Sequence, residues 1–284
     1  MNYIGLDIGG SKFLVASADA QGNIRQRVQR PTPPALEDGI ALLHEMIAIV
    51  SDGQPVSAIG AAAGGPLDWQ TGVISPLHQP AWRDVPLRQI MADRWGCPLY
   101  VDVDTNVAAL AEYHLGGHDV PALLYLTIST GMGGGLVQNG RLYRGHNGAH
   151  PEVGHQTIRY RCRAPANVRC ACGAPDCLEG LISGNAIRRI YGRPAEALDE
   201  ADWAEVAFNL GQGLRNLATI YAPDLIVLGG GVAVGGGQPF LDAAVATMKE
   251  HLNLVPAPSV RLSNLGYDTA LMGAITVARL GLNE

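Results

Sequence analysis

No stretch of this chain is both long and apolar enough to span a bilayer: the longest apolar run, Leu225 to Gly237, is short and dense in glycine. Residues Met1 to Gly10 lack the basic segment and apolar run of a secretory leader, so a cytoplasmic location and no membrane partner are expected. Lysine is nearly absent, with Lys12 and Lys249 standing against eighteen arginines. Twenty Lys plus Arg against twenty-six Asp plus Glu give a net charge of −6, which argues against a nucleic-acid partner. The six arginines between Arg141 and Arg169 read, on this balance, as a solvated loop face. The pattern Gly-x4-Gly-Lys-Ser/Thr is missing, and neither glycine cluster places Gly-x-Gly-x-x-Gly at a strand-to-helix turn. P-loop and Rossmann nucleotide sites are thereby excluded.

What is present is enough apolar residue, 47% of 284, to build buried cores in one large domain or two ordinary ones. YIGLDIGG and KFLVAS read as two strands around a glycine turn, with IRQRV as a third. Leu36, Ile40, Leu43, Ile47 and Val50 recur at helical spacing, VSAIGAAA returns as a buried strand, and another helix precedes the strand-like PLYVDVD. A further helix follows, with Thr105 as its expected cap. From Pro121 the pattern repeats: LLYLTIST, the turn GMGGG, then LVQNG and RLYRG. Later segments predict a helix carrying Trp203, Val206, Leu210, Leu214, Leu217 and Tyr221, the strand DLIVLGGG, and a helix from about Phe240. The strand SVRLSNLG and a closing helix from Asp268 complete the chain. Two α/β halves in close contact across a cleft are the expectation.

Both glycine-turn hairpins, LDIGGSK and TISTGMGGG, end a strand in small residues whose backbone N–H groups can approach an anion. Together they could hold a polyphosphate, with Asp7 suited to Mg²⁺ or its waters. Asp104 closes an apolar strand just before a helix, where a carboxylate can take a proton from an attacking hydroxyl. A plain helix cap is the competing role, and Asp102 and Asn106 are nearby rivals.

Three of the five cysteines fall in RCACGAPDCLEG, residues 169 to 180. Five cannot all pair, and a reducing compartment disfavours disulfides, so metal binding is the better reading. Cys170, Cys172 and Cys177 offer three thiolates around a turn bent by Gly173 and Pro175, suited to structural zinc. The fourth ligand is His155 or Cys162. Cys97, alone before Pro98, reads as core filler.

With LDIGGSK, VDVDTN, LTISTGMGGGLVQNGRLYRG, EVGH, CACGAPDCLE and IVLGGGV in this order, the chain resembles the ROK (repressor, open reading frame, kinase) family from about residue 3 to 280. The resemblance implies an α/β, actin-like (ribonuclease H-like), duplicated two-domain ATPase fold with an interdomain cleft. The smaller domain would comprise residues 1-116 plus 268-284, and the larger, carrying the zinc loop, residues 117-267. It further implies ATP and Mg²⁺, transfer of phosphate to a hexose hydroxyl, and a homodimer. By the same resemblance Asp104 is the catalytic base, and Gly65, Asp104, Glu152, His155 and Glu179 contact the sugar. Asp7, Gly9, Gly10, Ser11, Lys12, Thr130, Gly131, Gly229, Gly230 and Gly231 serve the nucleotide. His155 joins Cys170, Cys172 and Cys177 on a structural Zn²⁺.

Two departures bear on the sugar. Glucose and N-acetylmannosamine kinases of the family carry Asn-Asp at the base, where this chain has Val103-Asp104. They carry Ala-Gly before the glutamate of ExGH, where this chain has His150-Pro151. Both changes, with WRDVPL and EGLISGNAI, resemble the fructokinase branch, so fructose at O6 is the first expectation and glucose or an N-acetylhexosamine the alternative. A sugar-responsive regulator is the competing class; with the hairpin starting at residue 3, no DNA-binding segment is expected before it.

Overall fold

The computed structural model describes residues 1–282. The chain opens with strands β1 (Tyr3–Ile8), β2 (Lys12–Ala18) and β3 (Ile24–Pro31), then helix α1 (Leu36–Ser51) and β4 (Ala58–Ala63). Three two-residue strands, β5 (Leu67–Asp68), β6 (Val73–Ile74) and β7 (Val85–Pro86), precede α2 (Leu87–Trp95), β8 (Leu99–Val103) and α3 (Asp104–Leu115). A second meander follows as β9 (Ala122–Ile128), β10 (Met132–Gln138) and β11 (Arg141–Leu142). After a segment of short 3₁₀ turns come α4 (Glu179–Ile182), α5 (Gly184–Tyr191), α6 (Glu200–Tyr221) and β12 (Leu225–Gly229). The chain ends with α7 (Gly231–Lys249), β13 (Ser259–Leu262) and α8 (Thr269–Leu280).

These elements form two compact units. One holds Met1–Gly117, His146–Ala149 and the described residues from Asp268; the other holds His118–Gly145 and His150–Tyr267. The four residues His146–Ala149, expected with the second half, pack in the first. A Cβ on Gly148, whose φ is +78°, would sit 2.9 Å from Trp69 Nε1.

Each unit is built on a five-stranded sheet of the same plan, β3-β2-β1-β4-β8 in the first and β11-β10-β9-β12-β13 in the second. In both, the opening meander is antiparallel and the last two strands join in parallel. Parallel strands covered on both faces are apolar throughout, and β4 and β12 are buried at every position. In the first unit Leu43, Met46, Ile47 and Val50 turn one face of α1 onto the core.

The other face of that sheet is closed by α8 through backbone-to-backbone contact. Gly5 and Gly60 lie opposite each other on β1 and β4. A Cβ on Gly60 would collide with the Ala274 carbonyl of α8, and one on Gly5 would sit 2.7 Å from Ile275. On α8 itself, a Cβ at Gly273 would strike the Val107 carbonyl of α3. Three glycines thus let one helix lie against both a sheet and a neighbouring helix.

Three local features depart from the sequence expectation. Helix α3 begins at Asp104 with Val103 at its cap, two residues earlier than a Thr105 cap requires. The buried Asp102 carboxylate explains the shift, because its Oδ1 accepts from Val103 N (2.7 Å) and Asn106 Nδ2 (2.9 Å). Helix α7 begins at Gly231 rather than near Phe240 and is broken at Gly237 (φ +65°) before Pro239. Its glycine-rich first half is set by Gly230 (φ +85°), where any side chain would strike the Ile128 carbonyl. The small sheet β5–β6–β7 has no signal in the sequence beyond its turns.

The close approach of α8 makes a direct prediction. Gly60→Ala should destabilise the protein by about 3 kcal/mol, since backbone cannot move aside as a side-chain tip can. Gly235→Ala, with nothing within 4 Å of its Cβ, should cost nothing. Urea unfolding midpoints of the two variants check both outcomes.

Candidate functional site

In the first unit the β1–β2 turn is held by Gly9 N donating to Lys12 O (3.1 Å) and by Thr32, whose N donates to Ser11 O (3.1 Å) and whose Oγ1 donates to Gly9 O (2.7 Å). Gly10, Ser11 and Lys12 are exposed. Asp7 sits on β1 just before this turn, partly buried. Burial, then the nearby Asp104 carboxylate, push its carboxyl up to about 6, with Asp268 adding to the rise and Lys12 opposing it. Asp104 and Asp268 thus both lie near enough to Asp7 to raise its carboxyl, Lys12 near enough to lower it, and Asp268 is itself paired with Arg27 (2.6 Å). Asp268 is the member that sequence reasoning missed; its only signal was its place at the start of the closing helix.

Asp104 is the exposed first residue of α3, its Oδ1 accepting from Thr105 N at 2.7 Å. Its rival Asp102 is 1% exposed and committed to the turn before α3. Gly65 faces the same strand end, since a Cβ there would lie 4.0 Å from Val103 Cγ2.

In the second unit the β9–β10 turn is held by Ser129 N donating to Gly131 O (2.9 Å). It is tied to the start of α5 by Gly184 N to Ser129 O (2.7 Å) and Asn185 N to Thr130 O (3.2 Å). Gly229 ends β12, and Gly230 and Gly231 open α7.

The cysteine loop closes on itself. The ligand atoms of His155, Cys170, Cys172 and Cys177 all lie within 4.8 Å of one another. His155 Nδ1 is 3.5 Å from both Cys170 Sγ and Cys177 Sγ. That separation is roughly the N–S edge of a tetrahedron with zinc-like bond lengths. Burial pushes the Cys170 thiol up to about 12 and raises the Cys177 thiol too, so thiolates here call for a cation. Cys162 lies outside this group, packed at the edge of the second unit's core, and Cys97 is buried in the first unit's core. The loops are joined by the Thr157–Cys177 bridge and by Leu178 N donating to Gln156 O (3.0 Å).

Glu152 lies between two histidines, with Oε1 3.3 Å from His150 Nε2 and Oε2 3.7 Å from His155 Nε2. The hydrogen bond from His150 holds its carboxyl below the usual range. Glu152 is thus placed to orient the His155 ring as well as to meet a ligand. Glu179 opens α4; its Oε1 accepts from Cys170 Sγ (3.4 Å) and its Oε2 from Met132 N (2.9 Å), one residue past Gly131. This link between cysteine loop and glycine hairpin was not legible in the sequence.

The family model described as "ROK family" matches residues 3–280. This chain belongs to the ROK family. A glucokinase of Halalkalibacterium halodurans is 31% identical over 317 residues, covering 95% of this chain and 93% of that protein. A putative fructokinase of Bacillus subtilis is 35% identical over 239 residues, covering 80% and 76%. Among solved structures, the ROK hexokinase of Thermus thermophilus superposes with a TM-score of 0.85 at 34% identity, covering 99% of this chain and 98% of that one. The fold is accordingly the actin-like ATPase fold with two domains.

The Asp7 carboxyl sets a pH dependence in nucleotide-free protein. Its folded value of about 6 exceeds the ordinary 3.8, so between these limits the folded state holds a proton that the unfolded chain has released. Stability must fall as pH rises through that window, and the loss is complete above about 6. Asp7→Asn removes it. The variant should exceed wild type by on the order of 2 kcal/mol at pH 7 and match it below pH 4 in urea unfolding followed across pH.

Proposed function

We propose that this chain is an ATP-dependent hexose kinase that transfers the γ-phosphoryl group to a sugar hydroxyl, with fructose at O6 as the favoured acceptor. The observation that carries the reading is the exposed Asp104 at the start of α3, with its carboxylate near that of Asp7 beside the glycine hairpin, in a ROK-family chain. Asp104, exposed at a helix start, is the proton acceptor as the hydroxyl oxygen bonds to phosphorus and ADP departs. The excess of negative charge around Asp7 suits a divalent cation, and Asp7 would hold Mg²⁺ or its waters. Bound there, Mg²⁺ neutralises the phosphate oxygens. Backbone N–H groups of Gly9 to Lys12, and separately of Thr130 and Gly131, would meet phosphate oxygens. Gly229 to Gly231, at the start of α7, serve the adenosine side. Gly65 in the first unit and Glu152, His155 and Glu179 in the second are assigned to the sugar.

A structural Zn²⁺ on His155, Cys170, Cys172 and Cys177 fits the donor chemistry and spacing. It would fix the loop that carries Glu152 and Glu179. Elemental analysis should find one zinc per chain, retained in Cys97→Ser and lost in Cys172→Ser. Metal-free protein with unaltered thermal stability would remove zinc from the account.

The acceptor preference rests on Val103, which is 8% exposed and offers no hydrogen bond where relatives of the glucose type place an amide. A hydroxyl left unpaired there costs about 1 to 3 kcal/mol, roughly ten- to a hundred-fold in kcat/KM. Fructose should therefore lead glucose, mannose and the N-acetylhexosamines by that margin in an ADP-release assay. Val103→Asn should narrow the gap, and because residue 103 is the cap of α3, asparagine there also suits the helix. Asp104→Asn should lower kcat by about 10²–10⁴ while leaving the fold intact. A wild-type preference for glucose would defeat the fructose assignment, and full activity of Asp104→Asn would defeat the base.

A further inference from the structure

The second unit contains a cationic cavity built from none of the residues assigned above. Its volume is about 400 Å³, and it lies between residues 159 to 161, one face of α6 and the residues that follow α7. Phe208, Gln212 and Arg215 recur at helical spacing on α6, while Arg159 and Arg161 enter from the loop. Three arginines and His251 line it with a single carboxylate, Glu250, in a chain whose net charge is −6.

The arginines of this region divide into two kinds. Arg163 and Arg193 are bound to the buried Asp202, and Arg189 donates to the Asn167 and Arg169 carbonyls (both 2.7 Å). By contrast, the guanidiniums of Arg159, Arg161 and Arg215 make no hydrogen bond or ion pair with any described residue. Arg161 instead rests on the Phe208 ring, 3.8 Å from its centroid. Its backbone is clamped by the buried Asn209, whose Oδ1 accepts from Arg161 N (2.9 Å) and whose Nδ2 donates to Arg161 O (2.8 Å). Asn216 Nδ2 donates to Thr157 O (3.3 Å), fixing the same loop to α6. Arg161 is thus held in place without being neutralised, a combination that lowers the ordering cost of binding an anion there, while the exposed Arg159 and the half-buried Arg215 stand beside it.

We propose that this cavity binds a small phosphate monoester with a hydroxylated body, of the size of a hexose phosphate. Planar guanidiniums match the oxygens of a phosphate dianion, and three of them favour a double charge over a single carboxylate. Glu250 and Gln212 supply polar partners for hydroxyls, and the volume lies within the range of small-molecule sites. The inference does not depend on the kinase reading, because binding is measured without ATP or turnover.

The test is calorimetric titration of the full chain with glucose 6-phosphate, inorganic phosphate and glucose. The double variant Arg161→Ala/Arg215→Ala should bind glucose 6-phosphate at least about tenfold more weakly than wild type. Glu179→Gln should leave that affinity within about threefold, and inorganic phosphate should bind more weakly than the sugar phosphate through the same arginines. Added salt should weaken binding. The opposite pattern, loss in Glu179→Gln with retention in the double variant, would place the ligand in the sugar site and overturn the proposal. So would the absence of binding at millimolar ligand, while equal affinity for inorganic phosphate would overturn the hydroxylated-body part.

Discussion

The contact on which the first unit depends is the approach of α8 to β1, β4 and α3 at backbone distance. Gly5 and Gly60 leave a slot in the sheet, and Gly273 removes the last side chain between α8 and α3. The slot has a chemical consequence. It ties the residue before α8, Asp268, and the residue opening α3, Asp104, to the end of β1 that bears Asp7. Arg27 holds Asp268 in the same arrangement, its Nη1 2.6 Å from Oδ2. Like charges are therefore brought together by packing that has no electrostatic motive of its own. The raised Asp7 carboxyl follows from that placement, through burial first and the neighbouring Asp104 charge second.

The second unit solves a different problem. Between β11 and α4 the chain has only short 3₁₀ turns, so few backbone hydrogen bonds hold it. Side chains supply the order instead: the His155 and cysteine cluster, the Thr157–Cys177 bridge, and Glu179 reaching Met132 N. Asn209, buried and bonded twice to the Arg161 backbone, anchors the middle of the segment to α6. A loop positioned this way can hold polar groups more rigidly than its lack of secondary structure suggests.

Much of this was legible in the sequence, for identifiable reasons. Both hairpins announce themselves because apolar runs stop at glycine clusters, and the repeat of the pattern at Pro121 gives the duplication. The cysteine group is visible from density alone. What escaped depends on three-dimensional neighbours. The first half of α7 is glycine-rich, so propensity points away from a helix, and only the contact of Gly230 with Ile128 shows why the chain turns there. The early start of α3 follows from a buried Asp102 whose bonds cannot be read from spacing. Likewise, the six arginines from Arg141 to Arg169 look alike in sequence until Arg163 is found against Asp202 while Arg159 and Arg161 line a cavity.

The placement of His146–Ala149 with the first unit means that the chain passes from one unit to the other four times. Gly148 against Trp69 is the anchor of that excursion. The duplication therefore does not divide the polypeptide into two separable pieces. A fragment running from residue 118 to 267 would carry, in its middle, four residues whose packing partners had been cut away, and the first unit would in turn lack part of its own surface. Dissection, circular permutation or the grafting of one half onto a relative must treat this short segment as a piece of the first unit borrowed by the second stretch of sequence.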